Sequence, residues 1–123
     1  MIRGAIGGHP DTAAGASLSV VVAPLTRGRI PTIVDKVNTV VTPGSVVDVV
    51  VTDQGLAVNP NRPEIKALLE EAGLPVTTIE ALRDRCDRIV GKPEPIKYKD
   101  RIVGVVMYRD NTVIDVIHQI DEE

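Results

Sequence analysis

Aromatic residues are nearly missing from this sequence: among 123 residues there is no Phe, no Trp and only two Tyr. A chain so poor in aromatic faces offers no platform on which the bases of a single strand could stack. Charge of one sign is lacking too, with 14 basic against 17 acidic side chains and a net charge of −3. That balance gives no electropositive footprint for nucleic acid or for an anionic membrane surface. The one cysteine, Cys86, closes no internal disulfide and points to a reducing compartment. No apolar run approaches the roughly 18–20 residues of a membrane-crossing helix, and the first residues do not read as a signal peptide. A soluble, cytoplasmic protein is expected. His9 and His118 are the only histidines, so a tetrahedral metal site lacks ligands and none is expected.

What is present is aliphatic and β-branched. Hydrophobic residues make up 43% of the chain, with Val and Ile dominant, which suits buried strands. The length allows one compact domain with its own core. Ser17 to Ala23 reads as a strand buried on both faces and ended by Pro24. Ile30 to Asn38 holds a second extended segment around Thr32-Ile33-Val34, and Thr39 to Thr42 continues it. Val46 to Thr52 is the strongest strand pattern, and Asp53-Gln54-Gly55 turns it into Leu56-Ala57-Val58.

Asn61 to Ala72 spaces Ile65, Leu68, Leu69 and Ala72 along one helical stripe, with Pro63 in its first turn and Gly73 just past its end. Pro75-Val76-Thr77 returns as a strand. Thr77 and Glu80 have the spacing of a capping box, opening a helix that turns Ile79, Leu82, Cys86 and Ile89 inward and stops at Gly91. This alternation predicts an α/β fold, an open and mainly parallel sheet with flanking helices and a right-handed crossover, over residues 1–91. Residues 92–123 then carry two β-rich runs, Arg101 to Tyr108 and Thr112 to Ile120. Arg109-Asp110-Asn111 joins them into a C-terminal hairpin.

Candidate chemistry is sparse. Gly4 to Asp11 is glycine-rich, and the backbone N–H groups of Gly7 and Gly8 can approach an anion closely. No Gly-Lys-Ser/Thr follows, and because the loop precedes a strand it does not match the dinucleotide fingerprint. It is either a frayed N-terminal tail or the end of a sheet that begins before Met1. His9 and Asp11 sit beside it. Arg27 and Arg29 flank Gly28, where guanidinium forks suit carboxylate or phosphate unless the turn is merely solvated. Cys86 lies on the apolar stripe of a helix and reads as a core residue, and His118 reads as structural. Asp48 and Asp53 bracket the best strand without the acidic cluster of a phosphoacceptor site.

Longer stretches carry a resemblance. Gly7-Gly8-His9-Pro10-Asp11-Thr12-Ala13-Ala14-Gly15-Ala16 and Val22-Ala23-Pro24-Leu25-Thr26-Arg27-Gly28-Arg29-Ile30-Pro31-Thr32 resemble the C-terminal portion of the citrate lyase alpha subunit family. Val41-Thr42-Pro43-Gly44-Ser45, Gly55-Leu56-Ala57-Val58-Asn59-Pro60 and the ending from Tyr108 to Gln119 are similar to it as well.

The resemblance implies a CoA-transferase-type α/β fold and a citrate CoA-transferase activity. In that reaction acetyl is exchanged for citryl on the CoA-like arm of an acyl carrier protein, and a beta subunit then cleaves the citryl thioester. It implies the beta subunit, the acyl carrier (gamma) protein and citrate as partners, and no covalently bound cofactor. Gly7, Gly8, His9, Asp11, Arg27 and Arg29 become the expected CoA- or substrate-binding residues. The wider superfamily's catalytic glutamate lies upstream of the Gly-Gly segment, and no glutamate precedes Gly7, so the catalytic residue stays unassigned and the chain alone is expected to be inactive. Two alternatives stay open: the analogous malonate decarboxylase alpha subunit, and a non-catalytic module docking through its hairpin. An edge strand short of neighbours would favour a homo-oligomer.

Overall fold

The computed structural model describes residues 7–122. Its sheet is built on a tight hairpin. β4 (Val49–Thr52) and β5 (Gly55–Val58) pair antiparallel, with Val49 opposite Val58 and Thr52 opposite Gly55. The turn closes on itself: Thr52 Oγ1 donates to the Gly55 carbonyl at 2.7 Å and accepts from the Gln54 N–H at 3.1 Å. Only glycine suits position 55, where φ is +130° and a Cβ would stand 3.2 Å from the Pro75 carbonyl oxygen.

β1 (Val20–Val22) joins β4 in parallel and β6 (Val76–Thr77) joins β5 in parallel, giving the order β1-β4-β5-β6. Two parallel pairings around one hairpin make the mostly parallel, helix-flanked α/β sheet that the alternating pattern predicts.

Two helices serve this sheet. α2 (Pro63–Glu71) carries the chain from β5 across to β6. It ends as its sequence predicts, with Gly73 at φ +75°. The Leu74 N–H bonds the Leu69 carbonyl and the Gly73 N–H that of Glu70, the paired closure of a Schellman end. Its stripe is less regular than expected: no residue of α2 is fully buried, and Leu68 is 65% exposed while Ile65 and Leu69 are half-buried.

α3 (Ile79–Val90) packs on β5 and on the small ribbon described below. Its cap is Thr78, whose hydroxyl accepts from the Ala81 N–H, and not Thr77. Thr77 is held in β6 opposite Ala57, so the strand claims it first. Only the middle of α3 is covered. Leu82 and Cys86 are fully buried, whereas Ile79 is 38% and Ile89 60% exposed, against expectation. Gly91 stops the helix with φ +76°.

The core gathers Leu25, Ala57, Leu82 and Cys86, with Ile33 packed against them. Cys86 is thus the core residue its helical position predicts, and its Sγ–H donates to the Leu25 carbonyl at 3.1 Å. β1 departs from expectation. It spans three residues at the edge of the sheet that the described residues form, where Val20 and Val22 are exposed instead of covered on both faces. The extended segment expected at Thr32-Ile33-Val34 is likewise absent. In its place β2 (Thr26–Arg27) and β3 (Ile30–Pro31) form a two-stranded ribbon around Gly28, whose φ is +62°. A 3-10 turn at Gly44–Val46 delays the start of β4 to Val49.

The last 8–10-residue strands, β7 (Tyr98–Met107) and β8 (Val113–Ile120), form the predicted antiparallel hairpin. Asn111 takes the left-handed conformation at φ +66°, and the Tyr108 N–H bonds the Thr112 carbonyl across the turn. The hairpin is tied to the rest of the chain at Asp115, whose carboxylate accepts the Val40 N–H at 2.7 Å and the Val116 N–H at 2.8 Å.

Those donors, the Val40 N–H first, hold the Asp115 carboxyl below the usual carboxylate range. A depressed folded value stabilises the fold fully above the unfolded value of about 3.9 and is lost as pH falls through the folded one. Acid unfolding followed by circular dichroism should therefore show a melting temperature that drops below about pH 4, with a weaker drop in Asp115→Asn. An identical pH profile in the two proteins would count against this anchor.

Candidate functional site

The Gly7–Gly8 turn opens into a helix, α1 (His9–Gly15), before the chain reaches β1. The loop was expected to precede a strand directly. Pro10 in the first turn and the alanines that follow instead wind one short helix, and Pro10 and Ala13 bury its inner side. Gly7 needs glycine's freedom, at φ +61°; Gly8 does not, and a Cβ there would meet only Thr12 Cγ2 at 4.0 Å. The rest of the expected glycine-rich stretch, Gly4 to Ile6, lies outside the described residues.

α1 packs on the 3-10 turn Gly44–Val46. The contact is fixed by His9, whose Nδ1 lies 2.8 Å from Thr42 Oγ1. Asp11 is exposed on the helix's first turn.

Arg27 and Arg29 are elsewhere. α1 precedes β1 and meets the segment that leads into β4, so it stands where these parallel strands begin. The Arg27-Gly28-Arg29 turn follows β1 and stands where they end, beside the β4–β5 turn. There the Leu25 N–H donates to Asp53 Oδ1 at 2.7 Å, a bond that holds the Asp53 carboxyl below its usual range. Both arginines are exposed, and neither is in an ion pair among the described residues. The structure therefore gathers Gly7, Gly8, His9 and Asp11 at one end of the sheet and leaves Arg27 and Arg29 at the other.

At the α1 end lies an open pocket of about 500 Å³ that the sequence reading did not anticipate. Its apolar surface comes from Val47, Val50, Ala57, Val58 and Ile79, and its polar rim from Ser45, Asn59 and Asn61. Asn59 is locked by its own amide, which donates to the Gly44 and Val47 carbonyls at 2.9 Å each. Asn61 Nδ2 reaches the Ser45 carbonyl at 3.3 Å.

Behind this rim Asp48 is buried. Its Oδ2 accepts the Ser19 N–H at 2.7 Å, and its Oδ1 pairs with Arg62 Nη1 at 2.9 Å. Arg62 Nε also bonds Glu64 Oε1 at 2.6 Å. The bond to Glu64, with Asp48 adding to it, raises the guanidinium value further, and the same bond lowers that of Glu64. A signal for this arrangement was in the sequence. Asp48 interrupts an otherwise apolar strand pattern, and a buried acid needs a partner. The partner, Arg62, lies 14 residues on and across a hairpin. Among the described residues no cluster of His, Cys, Asp or Glu is placed to hold a metal ion, and no helix is long and apolar enough to cross a membrane.

Residues 1–120 match the family model "Citrate lyase, alpha subunit (CitF)". The chain is 58% identical over 122 residues to the citrate lyase alpha chain of Escherichia coli K12 and 58% identical over 120 residues to that of Klebsiella pneumoniae. These alignments take in 99% and 98% of this chain and 24% of each relative, so it spans about a quarter of their length. A crystal structure from Streptococcus mutans, described as the alpha subunit of citrate lyase in complex with citrate, superposes with a TM-score of 0.95 at 54% identity. It too is matched over 99% of this chain and 24% of its own. On identity and fold together, the chain belongs to the citrate lyase alpha subunit family.

Proposed function

We propose that this chain is part of a citrate CoA-transferase, the component of citrate lyase that exchanges acetyl for citryl on the CoA-like arm of an acyl carrier protein. The observation that carries the reading is the near-superposition, TM-score 0.95, on a chain crystallised with citrate. Transfer between thioesters needs donors aimed at a developing oxyanion and a groove that holds the arm. The small-residue turn Gly7–Gly8 lies at the same end of the sheet as the pocket, with His9 braced on Thr42 between them. In this reading Gly7 and Gly8 lie near the thioester, and His9 and Asp11 shape the floor beside it. Arg27 and Arg29, at the far end of the sheet, meet an anionic group of a partner or of the carrier. The reaction partners are citrate, the acyl carrier (gamma) protein and the beta subunit that cleaves the citryl product. Such a complex is expected in the cytoplasm, and the catalytic carboxylate is expected from a part of the subunit other than this segment.

The test is an acyl-exchange assay on an alpha subunit that carries this segment, with acetyl-carrier and citrate as substrates. Gly8→Val should lower the exchange rate about tenfold or more, because a branched side chain shifts the reacting group from its donors. The space around Gly8 is open, so the variant should fold and melt as the parent does. An unchanged exchange rate would refute the assignment of this turn.

A further inference from the structure

We infer that the outer face of the β7–β8 hairpin is an interface inside the alpha subunit, covered by an apolar surface of the same polypeptide that lies outside this segment. The inference rests on reading the chain as part of that subunit, and not on the acyl exchange proposed above.

The hairpin is apolar on both faces. Gly104 and Val106 lie opposite Ile117 and Asp115 and share one face with them. That face is turned to the body of the chain, since Val106 is buried and Asp115 holds the Val40 N–H. Val105 and Met107 alternate with Gly104 and Val106 and so point the other way, each more than half exposed. Val113 lies opposite Met107 and belongs to the same outer face. So does Ile102, opposite His118, which is two residues along β8 from the Val116 that faces Val105. Val103 stands between Ile102 and Gly104 where the register shifts, and it is as open as they are apolar. No helix and no other strand among the described residues forms a layer against the hairpin. A solvated antiparallel face ordinarily carries polar side chains, and a two-stranded ribbon by itself is marginal in water. This face is built to be covered.

Area and chain length decide what covers it. Five side chains about half open present on the order of 500 Å², a large patch for a monomer but less than the roughly 800 Å² that each partner brings to a stable complex. A second copy docked there would be held weakly, because association also costs translational and rotational freedom. A surface on the same polypeptide is spared that cost, and contacts between parts of one chain commonly have this size. The relatives have the chain to supply it: the matched segment is 24% of each, which leaves about three-quarters of the polypeptide outside it. Pairing through the strand edge is disfavoured as well, since Lys99, Asp100 and Arg101 stand exposed along the first half of β7.

The test reads Met107, whose thioether hydrogen peroxide converts to the sulfoxide where the reagent has access. Peptide-resolved mass spectrometry follows this oxidation in the 123-residue chain and in an alpha subunit that carries the segment. Met107 should react about tenfold more slowly or less in the subunit, with a protection that dilution does not change. Val105→Lys should lower the melting temperature of the subunit by about 3 °C or more and leave that of the 123-residue chain within about 1 °C. Equal oxidation rates in the two proteins would overturn the inference. Protection that vanishes on dilution would do so too, by assigning the face to a second copy, as would equal melting shifts from Val105→Lys in both proteins. Neither readout involves acyl exchange, so failure here and failure of the functional reading, tested by Gly8→Val, are distinguishable.

Discussion

Leu82→Ala should lower the unfolding free energy by about 2–5 kcal/mol, which for a domain of this size is a large part of the total. Leu82 is fully buried, and its neighbours Leu25, Ala57 and Cys86 are themselves almost completely covered. They are held in place by hydrogen bonds and strand pairing as well as by packing. Cys86 is bonded to the Leu25 carbonyl, Leu25 is pinned through its N–H to Asp53, and Ala57 is locked in the β4–β5 hairpin. Such a site collapses little, so the cavity term adds to the lost transfer free energy. The chain has no Phe or Trp whose ring could swing in to fill the void. Leu68→Ala is the matched control. It removes the same atoms from a residue 65% exposed on α2 and should stay within about 0.5 kcal/mol of the parent. Urea unfolding reads both through the midpoint, with the slope unchanged. Equal losses in the two variants would mean that α3 is not the helix that closes the core.

That contrast also shows what the amino-acid pattern could and could not reveal. Local chemistry was legible. The hairpin turn at Asn111, the helix ends at Gly73 and Gly91, and the position of Cys86 on a buried stripe all follow from interactions within a few residues. The structure realises each of them. Burial depends on what lies across from a residue, and periodicity says nothing of that. Val20 and Val22 have the composition of a central strand but occupy an edge, and Ile89 continues an apolar stripe beyond the part of α3 that the sheet covers. Thr77 and Thr78 are chemically alike, so only the pairing of Thr77 with Ala57 decides which one caps the helix. The candidate site was half legible for the same reason. A Gly-Gly-His cluster and two arginines can be found by eye, but parallel pairing of β1 and β4 sends them to opposite ends of the sheet. The pocket escaped notice because its walls come from residues 44–61 and from Ile79, brought together by a hairpin and a crossover.

Asp48→Ala should cost about 2–4 kcal/mol, although it removes only a small polar side chain behind the rim of that pocket. Three segments meet at this residue. Its carboxylate holds the Ser19 N–H ahead of β1 and the Arg62 guanidinium at the entrance to α2. Its backbone N–H bonds the Ser19 carbonyl, and its own carbonyl accepts the Asn59 N–H at 2.7 Å. Alanine keeps the backbone pair but strands the buried Ser19 N–H and leaves Arg62 with Glu64 alone. Asp48→Asn is the informative intermediate. One amide oxygen replaces two carboxylate oxygens, so Ser19 can be satisfied while the charge pair is lost, and roughly half the penalty should return. A double-mutant cycle with Arg62→Met then isolates the pair, since the two side chains touch directly and their effects should not add. Additive effects in the cycle would show that Asp48 and Arg62 act apart, and that the loss in Asp48→Ala comes from the stranded Ser19 N–H alone.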